Sequence, residues 1–288
     1  YKRQTGCNFK TSTRSTSNFE TNFSLINIFE NTLTSMITSP HPDIPPIDLD
    51  NNNLLDNITE FCISPRKAGT LEEDKAVDFL VSKMSEYGYN TTIQAFNTYE
   101  KNMSEIWGIS SLEDYFYKFT GDDNASYQSK NVIVTNSVEG AEKTLYLTAH
   151  YDTEKNIHGI RDNGSGVTVL LEIALQLRNR NLPINITFVF LGAEECGLQG
   201  STNFVAQLSQ IEIDNALGCI NIDTVGSTED TEVSLWTCNS EINALSLQMD
   251  KLHHFAKKNT LYSDHMGSKG GNSLKNYCLL IMVLILLY

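Results

Sequence analysis

Three short apolar runs in this chain each lead into acidic residues or a histidine, and this pattern restricts the fold more than any other. The runs are Thr144 to Ala149, Ile186 to Leu191 and Leu217 to Ile222. Apolar runs of this length, rich in β-branched and aromatic residues, predict central strands of an α/β sheet. Ligands of such sheets bind beyond the carboxyl ends of the strands. The sequence therefore predicts a functional site at that edge.

The residues that follow these three runs are suited to bind a cation. His150 and Asp152 follow the first run, Glu194 and Glu195 follow the second, and Asp223 follows the third. A solvated turn is the ordinary explanation for an isolated pair of glutamates. Neighbouring carboxylates at one sheet edge, however, repel each other unless a cation or a proton separates them. Imidazole and carboxylate ligands together favour zinc, and a carboxylate can bridge two ions.

A further acidic residue, Asp162, lies in a glycine-rich turn between the first two runs. This turn, Gly159 to Gly166, opens an apolar helical stretch from Val167 to Leu177. Strand, ligand and helix thus repeat in order along the chain. The order predicts one α/β domain, with a mixed, mostly parallel central sheet flanked by helices.

These motifs resemble peptidase family M28, the co-catalytic zinc aminopeptidases that include bacterial leucyl aminopeptidases. The resemblance covers roughly Ser64 to His265 and implies the zinc-dependent exopeptidase fold. The matching motifs are His150-x-Asp152, Asp162-x-x-Ser165-Gly166, Gly192-Ala-Glu194-Glu195-x-Gly197, Asn221-x-Asp223 and Ser263-Asp264-His265. The His-Glu-x-x-His helix motif of other zinc peptidases is absent from the sequence.

The resemblance implies a ligand set for two zinc ions. His150 and Asp223 would hold one ion, Glu195 would hold the other, and Asp162 would bridge the pair. In the family, the last ligand of the second ion is a histidine in a His-Thr-like motif beyond the Ser-Asp-His segment. Residues 266–288 contain no histidine. We therefore expect an impaired second site, with His265 as the nearest substitute ligand, and we interpret the chain as truncated at its C-terminus.

The resemblance also implies two catalytic residues and one backbone feature. Glu194 would be the general base that activates the attacking water, and Asp152 would orient His150. The peptide bond between Asp162 and Asn163 would be cis, although no proline follows.

The predicted function is hydrolysis of peptide bonds by a zinc metallopeptidase, an aminopeptidase that acts on the N-termini of peptides or proteins. Two alternatives remain open. One is a glutaminyl-cyclase-like enzyme that uses a single zinc ion on the same scaffold. The other is a non-catalytic binding or structural homologue, inactivated by loss of the C-terminal histidine ligand. The retained acidic residues count against this second alternative, because a binding domain has no use for a set of metal ligands.

Composition narrows the class of partner. The net charge of −14 argues against nucleic acid and against anionic membrane surfaces. We expect a Ser/Thr/Asn-rich tail or linker over residues 1–52 and the peptidase domain over residues 53–288, with a monomer favoured. No signal peptide is visible in residues 1–52. Glycosylation sequons nevertheless favour a secreted protein, and they lie at Asn22, Asn57, Asn90, Asn102, Asn124 and Asn185.

Four local features remain to be tested. Thr70 and Glu73 have the spacing of a capping box at a helix N-terminus. Residues 97–130 form a polar insertion, either a lid over the site or, as we favour, a satellite cluster. Cys196 adjoins Glu195 and is interpreted as a packing residue. Residues 278–288 are apolar and too short to span a bilayer as a helix, which needs about 20 residues. We expect a late core strand, and a membrane anchor cut short is the alternative.

Overall fold

The computed structural model describes residues 51–98, 127–180, 182–225, 235–237 and 281–284. Outside these residues lie nearly all of the predicted tail, the insertion between 99 and 126, the Ser263-Asp264-His265 segment and most of the terminal apolar run. The predicted domain boundary at residue 53 falls within the first helix and stays a prediction.

The described residues form the following helices and strands. The helices are α1 (Asn51–Phe61), α2 (Leu71–Glu86), α3 (Ser165–Leu177), α4 (Gln199–Ala206) and α5 (Gln210–Asn215). The strands are β1 (Thr92–Thr98), β2 (Tyr127–Asn136), β3 (Thr144–His150), β4 (Asn185–Leu191), β5 (Ala216–Ile222), β6 (Leu235–Thr237) and β7 (Ile281–Leu284). A turn, Ile160–Gly164, leads directly into α3, and the backbone angles of Asp162 and Asn163 within it are non-helical.

The strands of the described residues form one mixed sheet in the order β1-β2-β4-β3-β5-β7-β6. Its centre, β4-β3-β5, is parallel, whereas β2 pairs antiparallel with β1 and β4, and β7 pairs antiparallel with β5. The three apolar runs are therefore confirmed as neighbouring strands. Part of the terminal apolar run, Ile281–Leu284, is confirmed as a strand beside β5.

Register places the carboxyl ends of the central strands side by side. His150 pairs with Leu191 across β3 and β4, and Thr148 pairs with Asn221 across β3 and β5. The residue after β5, Asp223, therefore lies level with His150. The residues that follow β3, β4 and β5 meet at one edge, as the sequence predicted.

Helices cover both faces of the sheet because side chains of a strand alternate between its faces. On one face, Leu145, Leu147 and Ala149 pack in a core shared with α2 and α3. On the other face, Tyr146 packs against Phe204 of α4. None of the helices within the described part of the chain has the length and apolar content needed to span a bilayer.

Two expectations about local structure need correction. The predicted insertion over residues 97–130 is shorter than expected, because β1 pairs with β2 as far as Thr98 opposite Tyr127, so residues 99–126 lie between the two strands. The capping box is only half formed. Thr70 Oγ1 accepts the Glu73 N–H at 3.3 Å, but the Glu73 carboxylate turns inward and accepts the Gly69 N–H and the Ser129 and Tyr151 hydroxyls.

Candidate metal centre

Three side chains at the sheet edge bring their ligand atoms together. His150 Nε2 lies 3.0 Å from Asp162 Oδ1 and 3.5 Å from Asp223 Oδ1. One ligand atom from each of the three residues lies within 4.8 Å of the other two. The His150 ring is buried, whereas the Asp162 side chain is 55% exposed. The group therefore opens to solvent on one side, where an ion can enter.

Asp162 reaches this position through the turn Ile160–Gly164. The peptide bond between Asp162 and Asn163 is cis, which confirms the feature implied by the family resemblance. The turn is entered through Gly159 in the left-handed region, at a φ of 58°, which glycine adopts without the penalty that a Cβ imposes. The Gly164 N–H donates to the Gly159 carbonyl at 2.8 Å and closes the turn.

Asn163 ties this turn to the end of β5, a role that the sequence did not reveal. Its Nδ2 donates to the Ile222 carbonyl at 2.9 Å, and its Oδ1 accepts the Gly166 and Thr224 N–H groups at 3.0 and 3.2 Å. The side chain is fully buried. Asn163 thus connects the backbone beside Asp162 to the backbone on both sides of Asp223.

Asp152 lies beside His150 and below the Glu194–Glu195 turn. Its Oδ1 is 3.6 Å from His150 Nδ1, too far for a hydrogen bond, and Nδ1 has no other partner. Its two carboxylate oxygens accept the backbone N–H groups of Glu194 and Glu195 at 2.9 and 3.2 Å. Asp152 therefore couples the end of β3 to the turn after β4, in addition to facing His150.

Of the two glutamates, Glu194 has its carboxylate beside His150. Glu194 Oε2 lies 4.0 Å from His150 Nε2, and the Glu194 side chain is 29% exposed. Neither glutamate belongs to the ligand group found within the described residues, which consists of His150, Asp162 and Asp223. The structure thus gathers three of the four predicted ligands closely and places the predicted base next to them.

The charges at this edge favour a cation. Burial raises the pKa of Glu194 to about 7, and burial together with the charge of Glu194 raises the pKa of Glu195 to about 8. Burial by itself would lower the pKa of His150, but the carboxylates of Asp152, Asp162 and Asp223 outweigh it and raise that pKa well above its ordinary value. The carboxylates therefore repel each other and attract positive charge.

The described residues fit a metal ion on chemical grounds. A histidine that binds a metal through Nε2 usually directs its Nδ1–H at a carboxylate, and the unpartnered Nδ1 of His150 faces Asp152. One imidazole and two carboxylates match the three protein ligands that catalytic zinc sites use. His150, Asp162 and Asp223 are thus the residues that could hold the ion.

Two more residues at the site escaped the sequence analysis. Thr224 has a positive φ of 52° and donates its hydroxyl to Asp223 Oδ1 at 2.9 Å, which fixes that carboxylate. Arg66 is buried between the loop after β3 and Phe61, and no nearby motif singles it out. By contrast, Cys196 is buried and close to the Tyr127 hydroxyl, at 3.2 Å, in agreement with a packing role.

Comparison with known proteins now adds to this geometry. Residues 131–272 match the model of Peptidase family M28. Aminopeptidase YwaD of Bacillus subtilis is 42% identical over 84 residues, an alignment that covers 29% of this chain and 18% of YwaD. The chain spans about a fifth of the length of the first curated relatives it matches.

Solved structures share the fold at low sequence identity. BSAP, a zinc aminopeptidase from Bacillus subtilis, superposes with a TM-score of 0.62 at 18% identity, covering 83% of this chain and 86% of BSAP. The glutaminyl cyclase of Porphyromonas gingivalis superposes with a TM-score of 0.58 at 19% identity, covering 82% of this chain and 84% of the cyclase. The predicted α/β fold with a mixed sheet is thereby confirmed.

Proposed function

Because this chain belongs to peptidase family M28, we propose that it is a metal-dependent aminopeptidase that hydrolyses peptide bonds at the N-termini of peptides or proteins. The observation that supports this most directly is the convergence of His150, Asp162 and Asp223 at the carboxyl edge of the sheet. Glu194 lies next to that group.

Zinc is the ion that we propose for this site, held by His150, Asp162 and Asp223. A bound zinc ion would polarise the scissile carbonyl and acidify water. Asp152 contributes by facing Nδ1 of His150, which leaves Nε2 free to bind. Asn163 and Thr224 contribute by holding Asp162 and Asp223 in place.

Glu194 is the proposed general base. Its backbone is fixed by Asp152, and its side chain stays outside the ligand group, so a carboxylate oxygen remains available for a proton. A base works best when its pKa lies near the working pH, and burial raises the pKa of Glu194 to about 7. Glu194 would take the proton from the attacking water and pass it to the leaving amine.

A second zinc ion, if two are bound, would take Glu195 and Asp162 as ligands. Only two side chains of the proposed set would then hold it, against three for the first ion. We therefore propose one tight and one weak ion. Glu195 would also need to lose its proton to bind, and burial raises its pKa to about 8.

A glutaminyl-cyclase-like reaction is the second candidate function. The specific observation in its favour is that the described residues hold one compact three-ligand group, as a single-zinc enzyme would need. The fold shared with the Porphyromonas gingivalis glutaminyl cyclase agrees with this but shows the fold alone.

One assay separates these functions. The full chain, stripped with a chelator and reloaded with Zn²⁺, is tested on leucine p-nitroanilide and other amino-acid anilides, and on a peptide with N-terminal glutamine. We expect release of nitroaniline that needs the metal. Conversion of the glutamine peptide to pyroglutamate with no anilide hydrolysis would favour the cyclase.

Glu194→Gln tests the proposed base, with Glu154→Gln at an exposed glutamate of the neighbouring loop as the control. Loss of a general base lowers the rate by roughly 10²–10⁴-fold. We expect that loss only in Glu194→Gln, with zinc still bound, because Glu194 handles a proton and does not ligate. Full turnover in Glu194→Gln would remove it as the base.

Partners and location remain proposals. The substrates would be peptides or protein N-termini, and we propose a monomer that does not bind nucleic acid. An extracellular location is supported by the exposed Asn90 in its sequon. Two other sequons do not add support, because Asn57 is buried and the Asn185 amide is bonded to the backbone at Val138 and Ala141.

A further inference from the structure

Arg66 is a buried arginine whose guanidinium binds three backbone carbonyls of one loop. Nε donates to the Tyr151 carbonyl at 2.8 Å, Nη1 to the His158 carbonyl at 2.7 Å, and Nη2 to the Gly159 carbonyl at 3.1 Å. The residue is 1% exposed. It lies far upstream of residues 131–272, which match the family model.

The loop that Arg66 binds, residues 151–159, runs from His150 towards Asp162. Tyr151 directly follows His150, and Gly159 directly precedes the turn that carries Asp162. The guanidinium therefore touches both ends of the loop at once. The Arg66 backbone also binds the loop near its start, where its N–H donates to Thr153 Oγ1 at 2.8 Å and its carbonyl accepts the Thr153 N–H at 3.4 Å.

The surroundings leave the guanidinium little freedom. It lies over the Phe61 ring at 4.3 Å from the centroid, so α1 supports it from behind. Only glycine fits at Gly159, because an added Cβ would collide with Thr153 Cγ2 and would lie 2.5 Å from the Asp162 carbonyl oxygen and 2.9 Å from Arg66 Nη2. A planar fork with several donors can hold three carbonyls in fixed directions, which a lysine ammonium cannot do.

The positive charge of Arg66 and its hydrogen bonds to the loop predict opposite effects on metal binding. As a buried cation near Asp152, it would repel a second cation and weaken binding. As a clamp on the loop, it would keep His150 and Asp162 at ligand distance before an ion arrives and so strengthen binding. Because the contacts join both ends of the loop, the second effect should dominate.

We propose that Arg66 is a positioning residue of the metal site, which closes the loop 151–159 and so holds His150 and Asp162 at the spacing that an ion requires. This proposal rests on the proposed function, since it assumes that the group binds zinc. It assigns to the segment before the family-matching residues a part in building the site.

Zinc affinity of Arg66→Met and Arg66→Lys tests the proposal. The full chain is stripped of metal and titrated with Zn²⁺ against a competing chelator, and Co²⁺ absorption reports the geometry of the ligands. Arg180→Met is the matched control, because Arg180 also donates to a backbone carbonyl, that of Gln176 at 2.7 Å, beyond the end of α3. Urea denaturation of each variant records whether it folds.

Zinc binding should weaken about 10–100-fold in Arg66→Met, the range found for residues that support metal ligands. Arg66→Lys keeps the charge but loses the fork, so it should fall between Arg66→Met and the wild type and show a changed Co²⁺ spectrum. Arg180→Met should bind zinc as the wild type does. If Arg66→Met does not fold, the Arg66→Lys affinity and spectrum decide.

Other outcomes would overturn the proposal. Tighter zinc binding in Arg66→Met would show that charge dominates. Wild-type affinity and spectrum in folded Arg66→Lys and Arg66→Met would show that Arg66 does not position the ligands. In both cases the proposed function survives as long as His150→Ala loses zinc. If the wild type itself binds no zinc, the proposed function and this proposal fail together.

Discussion

His150 Nε2 lies 3.0 Å from Asp162 Oδ1, although the two residues are twelve positions apart and belong to different elements. We expect His150→Ala and Asp162→Asn each to weaken zinc binding by more than the roughly 10–100-fold that loss of a supporting residue costs, because each removes a ligand. Isothermal titration of the stripped protein measures this.

The control for this prediction is His158→Ala. His158 is an exposed histidine of the same loop, and its substitution keeps the backbone carbonyl that binds Arg66. It should bind zinc as the wild type does. Equal losses in His158→Ala and His150→Ala would mean that the ion binds elsewhere or that the loop as a whole is disturbed.

Asp152→Asn should destabilise the fold. The carboxylate accepts two backbone N–H groups, whereas an asparagine has one acceptor oxygen and an NH₂ group that would face the other donor. A buried donor left without a partner costs about 1–3 kcal/mol in the free energy of unfolding. Urea denaturation measures it, with Asp214→Asn at an exposed position as control. A loss below about 0.5 kcal/mol, ordinary for surface substitutions, would contradict the prediction.

Glu73 should make stability depend on pH. Burial raises its pKa from 4.5 to about 7, so between these values the folded state holds a proton that the unfolded state has lost. The folded state is then favoured less as pH rises from 4.5 to 7, by up to about 3 kcal/mol, and no further loss from this group follows above pH 7.

Comparison of Glu73→Gln with the wild type isolates this contribution. The difference in unfolding free energy between the two proteins should shift in favour of Glu73→Gln as pH rises from 4.5 to 7 and then stay constant. Glu86→Gln, at an exposed position of the same helix, is the control. A difference between Glu73→Gln and the wild type that does not change with pH would show that Glu73 ionises normally.

Gly166→Ala should disturb the link between the two aspartate ligands. A Cβ at this position would collide with the Asn163 amide and with the Ile222 carbonyl, the two groups that join the turn to β5. Overpacking of this kind costs roughly 1–3 kcal/mol, and zinc affinity should fall with stability.

Gly140→Ala, where no atom lies within 4 Å of the added Cβ, should lose some stability through its positive φ but keep zinc affinity. Normal zinc binding in folded Gly166→Ala would contradict this account.

Local sequence predicted the parts of the site that follow directly from strand ends. The strands β3, β4 and β5 were visible as apolar runs, and parallel pairing then brings His150, Glu194 and Asp223 to one edge. Resemblance to the family supplied the cis bond at Asp162. These features depend on residues within a few positions of each other or on a regular pairing rule.

The supporting residues could not be predicted in this way. Arg66 bonds to carbonyls 85 to 93 positions away, and Asn163 bonds to the carbonyl of Ile222, 59 positions away. Every residue carries a backbone carbonyl, so the residue types in the sequence do not indicate which carbonyl a side chain will bind. Glu73 has the spacing of a capping residue, yet its carboxylate accepts hydrogen bonds from the buried Tyr151 and Ser129 hydroxyls. Tertiary packing decides the direction of this side chain.

The bonds from Asp152 to the backbone of Glu194 and Glu195 fix the shape of that turn, and they involve no atom of the two glutamate side chains. Because the carboxylate holds N–H groups that every residue except proline possesses, the turn does not rely on the side chains it presents. Either glutamate can then be exchanged while its neighbour keeps its place. This makes the positions of Glu194 and Glu195 suitable for redesign, since the backbone that carries a new side chain there would stay fixed.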